Sequence, residues 1–548
     1  MKPYLRTAGS TLRGTTGRIA LAAAAVAAIL LLSLTSPAPR SAQAQPGPAH
    51  TPVLFRVQAG TALAAPVSGR LLLFLKQGSG DKSVDTDEFQ FEDAFVAARE
   101  VHNLAPGQSV ELNADEAAFP RAFSTLKPAD YEIQAVLDVD HTYNYRGREG
   151  ADWQSDVLPL PAWTPGSSQP VLTLDRHPEQ TARQAAATEA ARNVSPLVAV
   201  QESVPSALLT AFWGHPIAVR AWVILPPGYK AADHYPTAYW THGFGGSLNY
   251  ALMTGLALHK RMVDGLMPPM FWVMLGESVP QGTHEFADSL NDGPWGSALT
   301  TEFIPALERK YPAMDARPTG RLLNGHSSGG WATLQLQINY PHIFGGTWST
   351  SPDPSDFHNF TNTDLYAPHA NLYHQPDGTP TPIMREHGQV LATFEQITHL
   401  EDVLGPYGGQ VSSFDWVFSP RAATGAPEPM FDHQTGEVHP AIVAYWHDHY
   451  DLAHLVEAHW AERASLLTGR LHLVVGTADT FYLDGSAHLF EARLEALHAQ
   501  PHFTYLPGRT HSDLYRVGTD RSGLSNQIAA EMYAVARPGS GWKPRTSE

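Results

Sequence analysis

The run Arg321-Leu322-Leu323-Asn324-Gly325-His326-Ser327-Ser328-Gly329-Gly330-Trp331 joins a short apolar strand to a helix through a G-x-S-x-G sequence. In such a join the serine sits on a sharp turn with its hydroxyl lifted clear of the sheet. Pro318-Thr319-Gly320 breaks the chain before the strand, and Trp331, Leu334 and Ile338 recur at helical spacing until Pro341 ends the helix. Gly325, Gly329 and Gly330 let the chain turn tightly against its neighbours. A Gly/Ser loop before an ordinary helix gives the same five letters, so the weight of the motif rests on its partners.

A serine hydroxyl becomes a nucleophile at neutral pH when a histidine accepts its proton, and that histidine needs a carboxylate to fix its tautomer. With a G-x-S-x-G elbow the chain order is serine, acid, histidine. Leu471 to Gly476 reads as a buried strand that delivers Asp479 just past its carboxyl end, which makes Asp479 the predicted acid. Asp484 is the alternative, although it also suits the first turn of the following helix. After that helix, strand Phe503 to Leu506 runs into Pro507-Gly508-Arg509-Thr510-His511, and His511 is the predicted base. His502 enters the same strand from the wrong end, and His326 is expected to pack under the elbow.

The developing oxyanion needs two backbone N–H donors, one from the residue after the nucleophile and one from an earlier loop. Ser328 supplies the first; His242-Gly243-Phe244-Gly245-Gly246, directly after strand Thr237 to Thr241, supplies the second, with Phe244 preferred over Gly245.

Around these motifs, strands alternate with helical patterns from about residue 207 to 540, as in a parallel sheet covered on both faces. Predicted strands are Ala218 to Leu225, Thr237 to Thr241, Met270 to Leu275, Leu322 to Asn324, Gly346 to Ser349, Leu471 to Val475 and Phe503 to Leu506. A helix is predicted over Trp295 to Lys310 with Leu299, Phe303 and Leu307 on one face. Residues 352–462 interrupt the rhythm with loops rich in His, Pro, Asp and aromatic residues and read as an inserted cap. Residues 50–175 show short alternating runs at Leu71 to Leu75, Ser109 to Leu112 and Tyr131 to Val139, the pattern of a small β-sandwich. Residues 176–206, with helix-favouring Gln184 to Arg192, read as a linker.

Several polar clusters invite a metal reading and have plainer explanations. Asp138, Asp140, His141 and Asn144 match no calcium loop and read as a strand-end loop. His447, Asp448, His449, Asp451, His454 and His459 read as the polar side of an exposed helix. Asp353 and Asp356 are expected to line the mouth of the pocket. Trp295, Phe357, Trp416, Trp446 and Tyr450 are candidates to touch an aromatic or sugar substrate, or to be packing. No metal ligand set and no cofactor is predicted.

The chain has 548 residues, 43% hydrophobic, enough for sizeable cores, and no cysteine, which excludes disulfides and thiolate metal sites. Lys2, Arg6, Arg13 and Arg18 precede the apolar run Ile19 to Leu34, and Ala42-Gln43-Ala44 follows, so residues 1–44 read as a secretory signal peptide cleaved after Ala44. The predicted location is secreted or periplasmic, with no stable membrane insertion after cleavage. The net charge is −18, and without the five basic residues of that segment it falls to −23, which argues against nucleic acid as a partner.

At Leu225-Pro226-Pro227-Gly228-Tyr229, Tyr235-Pro236, His242-Gly243, Gly325 to Gly330 and Pro341-His342-Ile343-Phe344-Gly345 the chain resembles the putative-esterase branch of the α/β hydrolases, with its esterase D, feruloyl esterase and enterochelin esterase members. The resemblance covers roughly residues 207 to 515. It implies an α/β hydrolase acting as a serine carboxylic ester hydrolase without metal or organic cofactor, and the small β-sandwich ahead of it is similar to the layout of enterochelin esterases. With the cap read at residues 352–462, the expected fold is an α/β hydrolase with an inserted cap, preceded by a small β-sandwich. Its triad would fall on Ser327, Asp479 and His511; the expected partner is a small-molecule or glycan-linked ester, with the particular substrate not carried over from the family. Ser328 stands where many relatives have Met, and the insertion is unlike that of compact members. A serine peptidase or an acyltransferase would use the same triad, and a non-catalytic envelope or carbohydrate-binding protein could keep the fold.

Overall fold

The computed structural model describes residues 51–545, apart from positions 88, 92, 406 and 407; the predicted signal segment and its cleavage point lie outside them. Among the described residues no helix is long and apolar enough to cross a membrane.

The chain opens with strands β1 (Leu54–Ala59), β2 (Val67–Gln77), β3 (Ala94–Leu104), β4 (Ser109–Asn113), β5 (Ala118–Phe119) and β6 (Ala129–Asp138). A single helical turn, α1 (Tyr143–Arg146), and strands β7 (Trp153–Gln154), β8 (Leu158–Trp163) and β9 (Val171–Leu174) follow. They form a three-stranded sheet, β4-β1-β9, and a six-stranded sheet, β5-β3-β2-β6-β7 with β8 also on β6. Phe55 and Val57 of one sheet meet Leu71, Leu73, Leu75, Ile133 and Leu137 of the other in a shared core. The period of two puts Leu72 and Phe74 on the opposite face, and they too are buried.

Helix α2 (Ala182–Asn193) begins on a Thr181–Gln184 capping box and crosses to β10 (Ala199–Ser206). The residues around β10 were expected to be linker; instead β10 is an antiparallel edge strand of the large sheet. Helix α3 (Ala207–Trp213), β11 (Ile217–Ile224), β12 (Thr237–Thr241), α4 (Leu248–Val263) and β13 (Phe271–Leu275) follow. The predicted helix over Trp295 to Lys310 forms as Trp295–Ala298, a π-turn at Leu299–Phe303 and Ile304–Lys310, with Leu299, Phe303 and Leu307 buried together. Beyond it lie β14 (Arg321–His326), α5 (Ser328–Asn339) and β15 (Gly346–Thr350).

Residues 352–462 contain a hairpin, β16 (Pro382–Glu386) and β17 (Gln389–Thr393), and helices α6 (Phe394–Leu404), α7 (Gln410–Phe418), α8 (Pro440–Tyr450) and α9 (Leu452–Leu467). The segment predicted as loops thus contains a hairpin and four helices between its loops. Side chains mark the helix starts: Thr393 and Gln396 form a capping box on α6, the Glu401 carboxylate accepts the N–H groups of Val411 and Ser412 at the head of α7, and Asp451 caps α9. The chain closes with β18 (Leu471–Gly476), α10 (Leu483–Ala496), β19 (His502–Leu506) and α11 (Gly523–Ala536).

The large sheet has the order β10-β11-β13-β12-β14-β15-β18-β19. Only the β10/β11 and β11/β13 pairs are antiparallel, and the order reverses between β12 and β13. This is the α/β-hydrolase arrangement. Along β11, Val219, Ala221 and Val223 face one core while Trp222 and Ile224 face another, so both faces are covered.

A further contact joins the N-terminal sheet to α6. Leu72, Phe74, Val96, Ala98 and Val136, on the outer face of the six-stranded sheet, pack against Leu400, Val403 and Leu404 of α6. The Arg70 guanidinium donates to the Val403 carbonyl at 2.8 Å on the same helix.

Candidate active site

Strand β14 pairs through His326, opposite Thr350 of β15, and the next residue leaves the sheet. Ser327 has φ 59° and ψ −129°, a conformation that costs a non-glycine residue about 1–3 kcal/mol. Close packing holds it: a Cβ on Gly325 would stand 2.0 Å from the Gly329 carbonyl oxygen, so the strand and the first turn of α5 touch where only glycine fits. The Ser327 N–H donates to the Thr350 carbonyl at 3.0 Å.

His511 Nδ1 lies 3.0 Å from Asp479 Oδ2, with Asp479 fully buried and His511 8% exposed. Asp479 also accepts the Phe481 N–H at 2.9 Å. Burial pushes the Asp479 carboxyl up, but the facing His511 imidazole and these hydrogen bonds outweigh it and hold it below its usual value. The alternative acid, Asp484, is turned elsewhere: its carboxylate accepts from the Arg385 guanidinium at 2.9 Å. The Phe481 ring meets His511 edge-on at 4.9 Å.

His326 does not pack under the elbow as expected. Its ring stands 4.4 Å from that of His511, with Nδ1 3.2 Å from Thr350 Oγ1. Burial, then the proximity of His511, lowers its pKa to about 3. It therefore stays neutral beside His511.

The 242–246 loop lies against the elbow, since a Cβ on Gly243 would stand 2.7 Å from Ser327 Cβ. His242 is buried beneath the loop with Nδ1 2.8 Å from the Gly243 carbonyl, and burial lowers its pKa to about 4. Ser328 opens helix α5, where the first-turn N–H groups have no intrahelical acceptor.

Sequence reasoning missed the acids behind this loop. Asp353, expected at the pocket mouth, is 4% exposed and accepts a 2.7 Å hydrogen bond from Ser328 Oγ. Burial raises its pKa to about 6, against the opposing pull of the Ser328 hydrogen bond. The hydroxyl at 328 thus has a buried partner. Glu277 and Glu285 are fully buried, and burial raises both well above the usual carboxylate range. Asp356 is buried as well and caps the turn at His358. Nothing in the local sequence marks these side chains as internal, because acidic residues after strands are normally solvated.

Ser327, His511, His242 and Phe244 line one continuous cleft of about 2430 Å³. Ile383, Met384, Ile397, Leu400 and Leu404 from residues 352–462 form an apolar part of its lining, and Tyr143, Asn144 and Arg146 bring the N-terminal sheets into it. Of the aromatic candidates, Trp295 lines the cleft, whereas Phe357, Trp446 and Tyr450 pack with Phe418 in the core.

His447, Asp448 and His454 bring ligand atoms within 4.8 Å of one another, as do Asp356, His358 and Asp451, and Asp138, Asp140 and Asp152. None of these groups lines the cleft. Asp138 accepts the N–H groups of Thr142 and Tyr143, and His141 pairs with Glu100.

Over residues 215–524 the chain matches the family described as "Putative esterase". A comparison with curated proteins returns no match. Among solved structures, it is similar to a ferulic acid esterase from Anaeromyces mucronatus (14% identity, TM-score 0.33, 63% of this chain and 95% of that one). It is also similar to S-formylglutathione hydrolases from Staphylococcus aureus (11%, 0.36, 63% and 100%) and Agrobacterium tumefaciens (14%, 0.34, 63% and 96%).

Proposed function

The chain belongs to the putative-esterase family and is a carboxylic ester hydrolase, and on that premise we propose that Ser327, His511 and Asp479 run its chemistry through an acyl-enzyme. The observation that carries this reading is the buried 3.0 Å pair of His511 and Asp479 beside the cleft that Ser327 lines. Ser327 Oγ attacks the ester carbonyl while its proton passes to His511 Nε2. The tetrahedral oxyanion accepts hydrogen bonds from the N–H groups of Phe244 and Ser328. Collapse expels the alcohol, which takes the proton from His511, and water then repeats the sequence to release the acid. Asp479 holds the Nδ1–H tautomer and stabilises the imidazolium.

The cleft far exceeds the roughly 300–1,000 Å³ of an ordinary small-molecule pocket. With the apolar part of its lining at Ile383, Met384, Ile397, Leu400 and Leu404, that size leaves room for an ester with an apolar portion. We also propose that the chain is exported and loses residues 1–44, on the strength of its basic start, apolar run and Ala42-Gln43-Ala44. In this reading residues 50–175 are an N-terminal β unit and 352–462 a cap on the hydrolase.

Ser327→Ala is expected to abolish turnover of a p-nitrophenyl ester and labelling by a fluorophosphonate, with the melting temperature unchanged. Wild-type turnover in that variant sinks the assignment.

A further inference from the structure

We propose that the N-terminal β unit helps to set the oxyanion hole, with Tyr145 as a positioning residue for the 243–246 loop. The proposal rests on the reading of Phe244 as an oxyanion donor.

Tyr145 belongs to α1, far in sequence from the elbow, yet its ring meets Phe244 edge-on with centroids 5.1 Å apart. Its hydroxyl donates to the Gly246 carbonyl at 3.1 Å, and the ring is 5% exposed. Gly246 closes the donor loop through its N–H to the Gly243 carbonyl at 3.1 Å. Tyr145 therefore grips the loop at two points, the side chain of the donor residue and the carbonyl that ends the turn. The Ser278 hydroxyl provides the other hold on that carbonyl at 2.8 Å.

A grip positions only if its base is firm. Asp138 at the end of β6 accepts the N–H groups of Thr142 and Tyr143 at 3.3 and 3.0 Å. Tyr143 stacks on Phe74 with centroids 5.5 Å apart and donates to Asp85 at 2.6 Å. The neighbouring Asn144 Nδ2 donates to the carbonyls of Glu401 and Gly405, each at 3.0 Å. The same turn thus holds the donor loop on one side and the end of α6, whose Ile397, Leu400 and Leu404 line the cleft, on the other. A misplaced donor loses the transition state more than the ground state, because the oxyanion demands tighter geometry than the ester carbonyl.

The test uses the purified mature chain with an aryl ester. Tyr145→Phe removes one hydroxyl and should lower kcat about tenfold with KM within about twofold; Tyr145→Ala should lower kcat about thirtyfold, short of the roughly 10²–10³-fold loss from removing a donor outright. A boronic acid that mimics the tetrahedral adduct should lose affinity in parallel with kcat, while a competitive inhibitor without a tetrahedral centre should not. The double variant Tyr145→Phe/Ser278→Ala should lose more than the product of the single effects, since the two hydroxyls share one carbonyl. Unchanged kcat in Tyr145→Phe and Tyr145→Ala overturns the proposal, and so does equal loss of affinity for boronate and inhibitor. If Tyr145→Ala fails to fold, Tyr145→Phe decides. Activity in Ser327→Ala would instead defeat the underlying serine reading, so the two failures are told apart.

Discussion

The strand ends that carry Ser327 and Asp479 and the helices of residues 352–462 meet across one cleft but are held by different means. At the strand ends a few residues are fixed by backbone geometry: a serine at φ 59°, glycines in direct contact and a carboxylate with two named donors. Across the cleft the wall is held by mass. Phe357, Phe414, Phe418, Trp446 and Tyr450 form an aromatic cluster, and the outer face of the N-terminal sheet backs it through α6. Chemistry needs few atoms placed to fractions of an ångström, whereas a binding wall needs buried area that tolerates exchange of one apolar residue for another.

The sharpest way to break this contrast lies on the strand-end side. Asp479→Asn should lower kcat about 10⁴-fold by stabilising the wrong tautomer of His511. Asp484→Asn should leave kcat within about fivefold, because that carboxylate serves Arg385. Steady-state kinetics on both variants checks the pair, and comparable losses would erase the distinction between them. On the wall side, Trp446→Ala should cost about 3–5 kcal/mol, the usual toll of an emptied aromatic site, and move KM more than kcat. Denaturant unfolding and kinetics measure the two effects; a selective loss of kcat would mean that the wall takes part in the chemistry.

The smallest effect concerns Asp353, which belongs to both regions. Its pKa in the folded protein, about 6, lies above the unfolded value, so the native state keeps the proton longer. The stability it lends is complete below about pH 4 and is lost as pH rises through about 6, on the order of 1–3 kcal/mol. Asp353→Asn should flatten that part of the stability curve, and melts between pH 4 and pH 7 would reveal whether it does.

The contrast also explains what the sequence disclosed. The strands around the elbow were readable because buried parallel strands such as Phe271 to Leu275 stand out as unbroken apolar runs, and Ser327, Asp479 and His511 could be singled out as candidates because each follows a predicted strand. Strand β10 escaped because an edge strand with Gln201, Glu202, Ser203 and Pro205 shows no such run. Helix α7 escaped because large side chains are buried on several of its faces, which blurs the 3.6-residue period. One sign was present and unread. Leu71 to Leu75 are five consecutive apolar residues, more than a strand with one solvated face requires, and every one of them is buried.

That double-sided strand has a consequence for how the protein is made. Arg70 and Val403, which meet across the outer face of the sheet, are 333 residues apart in the chain. At about 5–20 residues per second, roughly 15 seconds to a minute of synthesis separates the sheet from the helix that covers it. Through that interval Leu72, Phe74, Val96 and Val136 form a finished but unroofed oily plane, the kind of surface that chaperones hold and that other nascent chains adhere to.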